Sequence, residues 1–282
     1  MSTYSLFIIG VILMTVIIYL LIQHVLNERQ LFQLKYAFYS STVMLFAIIL
    51  PPLFLFRPRN ALNIRLSSFV LNPIFRLLGI EYCVENIQVL DKNESCIIVA
   101  NHQSSIDFIG MMYIWSEHVR YCTILAKKEL LLAGPFGIGS WLAGVEFIDR
   151  NNRQRASETM SQIMKKIQSK PLRLWVFPEG TRNTSEKFLP FKLGAFRLAI
   201  EAQVPIVPIV FSSYKPIYNA DKSNNSYYWR PGCVTIHCLE PINTAGMTLD
   251  NDLQRLTEMT QKRMFNAYLT IQTTVNDEKK GK

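Results

Sequence analysis

The sequence predicts an α/β domain with a largely parallel central sheet flanked by helices, preceded by an N-terminal pair of membrane helices. Two patterns carry this prediction. From residue 81 onward, short segments rich in Val and Ile alternate with segments of helical periodicity, as in a parallel sheet crossed by helices. Before residue 57, two long apolar runs contain no charged residue. Hydrophobic residues make up 49% of the 282 residues, which is enough for one sizeable core.

The first apolar run, residues 4–22, is long enough as a helix to approach the roughly 30 Å hydrocarbon thickness of a bilayer. A cleaved signal peptide is the alternative interpretation. It is disfavoured because no Lys or Arg precedes the run and no small-residue cleavage site follows it. We therefore expect a membrane helix in this segment.

The second apolar run covers residues 36–56, and a pair of prolines interrupts it near its end. A helix that ends before these prolines would be only about 22 Å long. The run either spans the membrane or enters it as half of a hairpin, and the sequence leaves both arrangements open. Arg57, Arg59 and Arg65 follow closely, so the positive-inside tendency places the rest of the chain in the cytosol.

These features divide the chain into a membrane anchor at residues 1–56, an amphipathic linker at 57–80, the α/β domain at 81–275 and a charged tail at 276–282. The linker mixes arginines with large apolar residues, which is typical of a helix at a membrane interface. An ordinary surface helix that joins the anchor to the domain is the alternative.

Seven segments of the domain have the length, composition and turn-residue boundaries of strands. Between them, periodicity predicts helices at residues 155–169, 191–203 and 250–271. Two prolines in the sixth strand predict that it lies at a sheet edge or carries a bulge. A glycine-containing apolar run at 130–143 predicts a loop and short helix that face the core or the membrane. The predicted strands are residues 81–90, 95–100, 121–126, 145–148, 172–177, 204–211 and 233–239.

The formal net charge of +9 indicates anionic partners such as nucleic acid, a membrane surface or a phosphate-bearing substrate. Nucleic acid is disfavoured, since no nucleic-acid-binding motif occurs and basic and aromatic residues do not interleave along one element. The four histidines show no metal-binding spacing, and no His-Glu-x-x-His helix occurs. We therefore expect a membrane or phosphate partner and no metal.

A possible catalytic pair follows the second predicted strand. His102 comes just after the strand end, and Asp107 lies five residues later in the first turn of the next helix. A carboxylate there can accept from one ring nitrogen, fix the tautomer and leave the other nitrogen as a base. The alternative is structural, because Ser104 to Asp107 has the form of a helix capping box. This run alone does not separate the two.

Two further strand ends carry groups suited to phosphate. Residues 178–183 supply a glycine that permits close backbone approach, a threonine hydroxyl and an arginine. Arg150 ends a similar run, and Lys127 ends the strand before it. Polar turns and charged strand ends are also common without any function, so each run is ambiguous on its own.

Four ordered blocks of the sequence together resemble the glycerolipid acyltransferase family, and within it the 1-acyl-glycerol-3-phosphate acyltransferases of the endoplasmic reticulum. The resemblance covers residues 57 to the C-terminus. The blocks occur in the order and approximate spacing of the family, which makes the set specific although each block alone is weak. They are NHQSSID at 101–107, GVEFIDR at 144–150, FPEGTRN at 177–183 and VPIVPI at 204–209.

The resemblance implies a reaction and a role for each matching residue. His102, oriented by Asp107, would take the proton from the sn-2 hydroxyl of lysophosphatidic acid, which attacks the thioester of acyl-CoA without a covalent acyl-enzyme. Acyl-CoA is then a co-substrate, no cofactor is implied, and the run 130–143 would help to hold an acyl chain. The implied ligands of the glycerol phosphate are Glu179, Gly180, Thr181 and Arg182, with Arg150, Lys127 and Lys192 as weaker contacts.

The resemblance also implies membrane lipids as partners and an endoplasmic reticulum membrane location with a cytosolic active site. The end of the chain, Lys279-Lys280-Gly281-Lys282, matches a di-lysine retrieval signal. A solvated charged terminus is the alternative.

Three rival functions are weighed against this one. A serine hydrolase that uses Ser104 or Ser105 is disfavoured, because the sequence has no Gly-x-Ser-x-Gly elbow. A non-catalytic lipid-binding protein of the same fold is disfavoured by the intact set of motif residues. Within the enzyme class, the acceptor could instead be glycerol 3-phosphate or another lysophospholipid.

Overall fold

The structure of the protein is a computed structural model that describes residues 26–92 and 94–280, with side chains as far as residue 272. The first predicted membrane run, residues 4–22, lies outside the described residues, as do the last two residues of the charged tail. The second run is described and forms a helix.

A seven-stranded sheet forms the centre of the domain, in the order β1-β9-β6-β2-β5-β3-β4. The five strands from β6 to β4 are parallel to one another. β9 runs antiparallel to β6, and β1 runs parallel to β9. The largely parallel sheet and all seven predicted strands are therefore confirmed. The strands are β1 Ile80–Glu85, β2 Cys96–Ala100, β3 Cys122–Lys127, β4 Glu146–Ile148, β5 Arg173–Val176, β6 Ile206–Phe211 and β9 Gly232–Cys238.

The first strand is shorter than predicted. It ends at Glu85 because Asn86 takes a left-handed backbone conformation, with φ of 55°, which a continuing strand cannot accommodate. A 3₁₀ turn at Ile87–Leu90 follows. The Asn86 side chain donates to the carbonyl oxygen of Cys238 at 2.8 Å. This non-local bond, which the local apolar pattern does not encode, holds the turn against β9.

The predicted edge position of the sixth strand is wrong. β6 lies in the interior of the sheet, between β2 and β9. It tolerates Pro208 because the ladder with β9 begins one residue later, at Ile209. The carbonyl oxygen of Pro208 still accepts from the backbone N–H of Leu239 at 2.9 Å. The missing proline N–H therefore removes no bond from the described β6–β9 ladder.

Helices cover both faces of the sheet. The three predicted domain helices are confirmed as α6, α7 and α8, and the run 130–143 forms the predicted loop and short helix. A second sheet, the hairpin of β7 Tyr218–Asp221 and β8 Ser226–Trp229, was not predicted. The helices are α1 Glu28–Ile49, α2 Pro51–Phe54, α3 Ala61–Arg76, α4 Asp107–Glu117, α5 Pro135–Leu142, α6 Arg153–Ser169, α7 Gly194–Ala202 and α8 Leu249–Lys280, and a 3₁₀ helix spans Lys128–Leu132.

Alternation along β2 places a hydrophobic core on each side of the sheet. Ile98 and Ala100 belong to one buried cluster, together with residues of α1, α3 and α4. Ile97 and Val99 belong to a second buried cluster, together with residues of α6, α7 and α8. Successive strand residues point to opposite faces, so the domain has three layers with β2 near their middle.

The helix α1 is the one described helix long and apolar enough to cross a membrane. It starts earlier than the predicted run because Asn27 and Gln30 form a capping box, and it ends before Pro51 as predicted. One stripe of α1 is nevertheless buried against the domain. Within this stripe, the Lys35 ammonium donates to the carbonyl oxygens of Leu78 and Trp229, both at 3.2 Å. The helix is therefore attached to the domain along this stripe, which runs from Phe32 to Thr42.

Candidate active site

The polar motifs converge because their strands are neighbours. β2 and β5 pair in parallel, so the residues that follow them lie at the same edge of the sheet. His102 follows β2, and residues 177–183 follow β5. Ligand sites in open α/β sheets gather at this carboxyl edge. The fold thus brings two motifs together that are far apart in the sequence.

The histidine and the carboxylate form a close pair. His102 Nδ1 lies 2.6 Å from Asp107 Oδ2. The same oxygen accepts the backbone N–H groups of Gln103 at 2.8 Å and Ser104 at 3.1 Å. One buried carboxylate therefore stabilises the loop before α4 and orients the imidazole, as the catalytic hypothesis requires. The predicted capping box is incomplete, because α4 begins without a side-chain cap.

The imidazole lies on the wall of a cavity of about 700 Å³. Its ring stacks on Phe177, with centroids 4.1 Å apart and an interplanar angle of 16°. The side chain is 22% exposed. Since Nδ1 faces Asp107, Nε2 is the nitrogen left to act on a bound ligand. The arrangement suits a general base at the edge of a substrate cavity.

The backbone of His102 is held by the FPEGTRN motif. Its N–H donates to Glu179 Oε1 at 3.0 Å, and its carbonyl oxygen accepts from Asn183 N–H at 2.8 Å. Glu179 Oε2 accepts from the Asn183 side chain and from the Leu189 N–H, each at 3.0 Å. Glu179 is only 4% exposed. Its carboxylate is thus engaged by protein donors on both oxygens.

Two polar residues beside the histidine bind the end of β6. Asn101 exchanges two hydrogen bonds with the backbone of Phe211, at 3.1 and 2.8 Å. The Gln103 side chain donates to the carbonyl oxygen of Ser212 at 2.9 Å. The sequence reasoning missed the positioning roles of these residues and of Asn183. The only available signal was their place within motif blocks, since their partners lie far away along the chain.

Two buried tyrosines surround the Asp107 carboxylate. Burial, followed by the negative charge of Asp107, raises the pKa of both Tyr82 and Tyr214 well above the usual phenol value. Both phenols therefore stay neutral at physiological pH. The two phenols therefore add no negative charge beside the Asp107 carboxylate.

Most of the predicted phosphate ligands line the same cavity as His102. Gly180 has a positive φ of 74°, and a Cβ there would lie 2.7 Å from the Lys192 Nζ, so Lys192 lies beside this loop. Arg150 donates to the Gly180 carbonyl oxygen at 2.5 Å. Glu179 is outside the lining set. The predicted residues that line the cavity are His102, Asp107, Lys127, Arg150, Gly180, Thr181 and Arg182.

A second, apolar cavity of about 190 Å³ adjoins the first. The two share lining residues from five elements, among them Val43 of α1, Met111 of α4 and Phe136 of α5. Ala143 lines the apolar cavity but not the cavity of His102. The cavity that contains the base therefore lies directly beside a more apolar one. Among the described residues, no cluster of three or more His, Cys, Asp or Glu side chains is placed to hold a metal ion.

Comparison with known proteins identifies relatives of the chain. A family model described as acyltransferase matches residues 81–212. The 1-acyl-sn-glycerol-3-phosphate acyltransferase alpha of Mus musculus is 38% identical over 239 residues, covering 85% of this chain and 81% of the relative. The beta enzyme of Homo sapiens is 36% identical over 216 residues, covering 77% and 75%.

A solved structure has the same fold. The crystal structure of the 1-acyl-sn-glycerophosphate acyltransferase PlsC from Thermotoga maritima superposes with a TM-score of 0.63 and 22% sequence identity. The match covers 85% of this chain and 95% of that chain. This similarity extends over the α/β domain and beyond it, since the domain alone is shorter than the matched share.

Proposed function

Because the chain belongs to the family of 1-acyl-sn-glycerol-3-phosphate acyltransferases, we propose that it acylates the sn-2 hydroxyl of lysophosphatidic acid with acyl-CoA. The products are phosphatidic acid and CoA. The observation that carries this proposal is the 2.6 Å contact between His102 and Asp107 on the wall of a cavity that Arg182 also lines. The base His102 and the cation Arg182 can therefore contact the same bound substrate.

His102 acts as the general base. Its Nε2 takes the proton of the acceptor hydroxyl while the hydroxyl oxygen attacks the thioester carbonyl carbon. The tetrahedral intermediate collapses, the C–S bond breaks, and the imidazolium returns its proton to the leaving CoA thiolate. Asp107 holds the tautomer and stabilises the imidazolium that forms between the two steps. No residue of the protein is acylated.

The phosphate of the acceptor lies against the loop at residues 180–182. A guanidinium can form two parallel hydrogen bonds to phosphate oxygens, and the Thr181 hydroxyl can add a third. Arg150 and Lys127 increase the positive potential on the same wall. Since phosphate and base sites share one cavity, binding the phosphate holds the acceptor near Nε2, which is the positioning that bimolecular catalysis requires.

The apolar cavity holds an acyl chain. Its lining includes residues of the N-terminal helices and of the run 130–143, among them Phe136, Gly139 and Ala143, which supports a role of that run in holding the chain. Burial of methylene groups there stabilises the complex by roughly 0.8 kcal/mol for each one removed from water. A chain that ends within the cavity therefore buries all of its methylene groups there, whereas the end of a longer chain does not fit.

The membrane of the endoplasmic reticulum is the proposed location, with the active site on the cytosolic side. The apolar helix α1, the arginines that follow it and the di-lysine sequence near the end of the chain support this. The tail alone does not distinguish a retrieval signal from a solvated terminus.

A transfer assay on the purified full-length protein in detergent tests the proposal. The acceptors are lysophosphatidic acid, glycerol 3-phosphate and lysophosphatidylcholine, each with a series of acyl-CoAs, and the products are identified by mass spectrometry. We expect phosphatidic acid as the main product. Exclusive use of another acceptor would assign a different substrate. Lipid binding without acyl-CoA consumption would support the non-catalytic alternative.

A further inference from the structure

A group of large apolar side chains is exposed beside the cavities. Phe56 is 85% exposed and Leu132 is 87% exposed, values that are unusual for residues of this size next to a binding site. Four other large apolar residues, each within nine positions of Phe56 or Leu132 in the sequence, are also exposed. Together these six residues form a surface that we call the apolar rim: Leu53, Leu55, Phe56, Leu132, Ile138 and Trp141.

The two parts of the apolar rim are contiguous because α5 packs directly on the end of α1 and on α2. A Cβ at Gly139 would lie 3.1 Å from Pro51 Cγ and 3.3 Å from the Ala47 carbonyl oxygen. The backbone N–H of Arg59 donates to the Leu142 carbonyl oxygen at 2.8 Å. A side chain at position 139 would crowd these atoms. The close approach brings the segment that contains Leu132 beside the segment that contains Phe56.

The segment that exposes Leu132 and Ile138 outward also lines the cavities inward. Leu130 and Phe136 contribute to the walls of both cavities. A molecule that covered the apolar rim would therefore lie within one short helix of the proposed acyl-chain site.

Charge and side-chain chemistry indicate what covers the apolar rim. The Arg59 guanidinium stacks over the Trp141 ring, 5.2 Å from its centroid, and Arg57 is exposed nearby. A tryptophan with arginines beside exposed Leu, Ile and Phe is the composition of a membrane interface. The rim also continues from the apolar face of α1, which exposes Ile48 and Ile49. A bilayer surface fits all of these features.

We propose that the apolar rim inserts into the boundary between head groups and acyl chains of an anionic phospholipid bilayer. Leu53, Leu55 and Phe56 belong to the second N-terminal apolar run, so the part of this contact that is additional to that run is made by Leu132, Ile138 and Trp141 in the connection between β3 and β4. The membrane proposal rests on the proposed function in one respect, since the inserted rim lets a lipid acceptor pass from the bilayer to His102 without crossing water. Arg57, which is exposed, binds anionic head groups, whereas the Arg59 guanidinium is paired with Glu146 at 3.1 Å and holds Trp141 in place.

Tryptophan fluorescence provides a direct test. Of the four tryptophans in the chain, Trp115, Trp175 and Trp229 are at most 2% exposed, so Trp141 is the one that a bilayer reaches. Full-length protein is reconstituted in phosphatidylcholine–phosphatidylglycerol vesicles with dibrominated acyl chains. We expect quenching of the wild type and little quenching of Trp141→Phe. Equal quenching of the two proteins would overturn the proposal.

An activity test uses the double variant Leu132→Ser with Ile138→Ser, and Leu269→Ser on α8 as the matched control. We expect the double variant to transfer normally to lysophosphatidic acid in detergent micelles. With the acceptor in anionic vesicles, its rate should fall at least about tenfold, while the control is unaffected. Equal rates in both formats, or equal losses in both, would overturn the proposal.

The two tests separate this inference from the proposed function. If the wild type transfers no acyl group in detergent, the proposed function fails, while Trp141 quenching still reports on the apolar rim. A second copy of the chain is the competing occupant. Shielding of Trp141 from iodide that depends on protein concentration and needs no vesicles would assign the rim to that contact and overturn the membrane proposal.

Discussion

The Glu179 carboxylate accepts the backbone N–H of His102 at 3.0 Å, although the two residues are 77 positions apart in the sequence. The same side chain binds Asn183 and Leu189 through its other oxygen. A buried anion with both oxygens engaged is poorly suited to contact a phosphate, because the two negative charges would repel. We therefore propose that Glu179 positions the base, whereas the family resemblance implies a direct substrate contact.

The first prediction concerns Glu179→Gln. An amide in either orientation places its NH₂ group against a protein N–H, so at least one donor loses its acceptor, at a cost of about 1–3 kcal/mol. We expect kcat to fall about tenfold or more, with little change in the KM for lysophosphatidic acid. Steady-state kinetics in detergent provide the measurement.

Two further variants, one neutral control and one that removes a partner of Glu179, show whether this result reflects positioning. Thr184→Ala shortens an exposed side chain of the adjacent loop and should leave kcat unchanged. Asn183→Ala removes the partner of Glu179 Oε2 and should affect kcat in the same direction as Glu179→Gln. A large change in acceptor KM with normal kcat would instead place Glu179 at the phosphate.

The second prediction is that His102→Ala folds, remains in the membrane and loses acyl transfer by about 10²- to 10⁴-fold. The backbone bonds to Glu179 and Asn183 remain available to alanine, so the loop should persist. Circular dichroism and membrane recovery verify folding, and product formation gives the rate. Near-normal turnover in this variant would remove His102 from the mechanism.

Serine substitutions separate this mechanism from that of a hydrolase. Ser104→Ala keeps the backbone N–H that Asp107 accepts, and Ser105→Ala keeps the carbonyl oxygen that accepts from Tyr39. Both variants should therefore retain most of their activity. Loss of activity as complete as in His102→Ala would indicate a serine nucleophile.

The third prediction concerns Arg182→Ala. A hydrogen bond to a charged group contributes about 1.5–3 kcal/mol, so the KM for lysophosphatidic acid should rise about tenfold or more. Arg182→Lys should restore part of this loss, since the charge remains without the planar fork. Lys187→Ala, which removes a nearby positive charge, is the control. Unchanged acceptor affinity and turnover would refute the phosphate role.

The fourth prediction concerns the apolar cavity. Ala143 lines it without reaching the cavity of His102, so Ala143→Leu should shorten the preferred acyl chain and leave transfer with short chains intact. Varying the chain of acyl-CoA and of the acceptor separately shows which substrate occupies the cavity. An unaltered preference for both would mean that neither chain reaches Ala143.

The sequence by itself determined the local elements and the motif residues. Strand composition, helical periodicity and the proline break after α1 are encoded by neighbouring residues, so all seven predicted strands and the three domain helices are present. The four blocks were sufficient to identify the family. Even so, local patterns did not reveal where β1 ends or that β7 and β8 form a hairpin, because both features depend on contacts with other elements.

Only the tertiary structure decided which residues meet. Strand order placed β6 in the interior, where its proline is tolerated because the β9 ladder starts after it. Parallel pairing of β2 with β5 brought His102 onto Glu179 and Asn183, which changed Glu179 from a predicted substrate ligand to a proposed positioning residue. Packing of α5 on α1 and α2 created the apolar rim. The physical reason is that side-chain partners, cavities and exposed surfaces arise from contacts between distant segments, which no local pattern specifies.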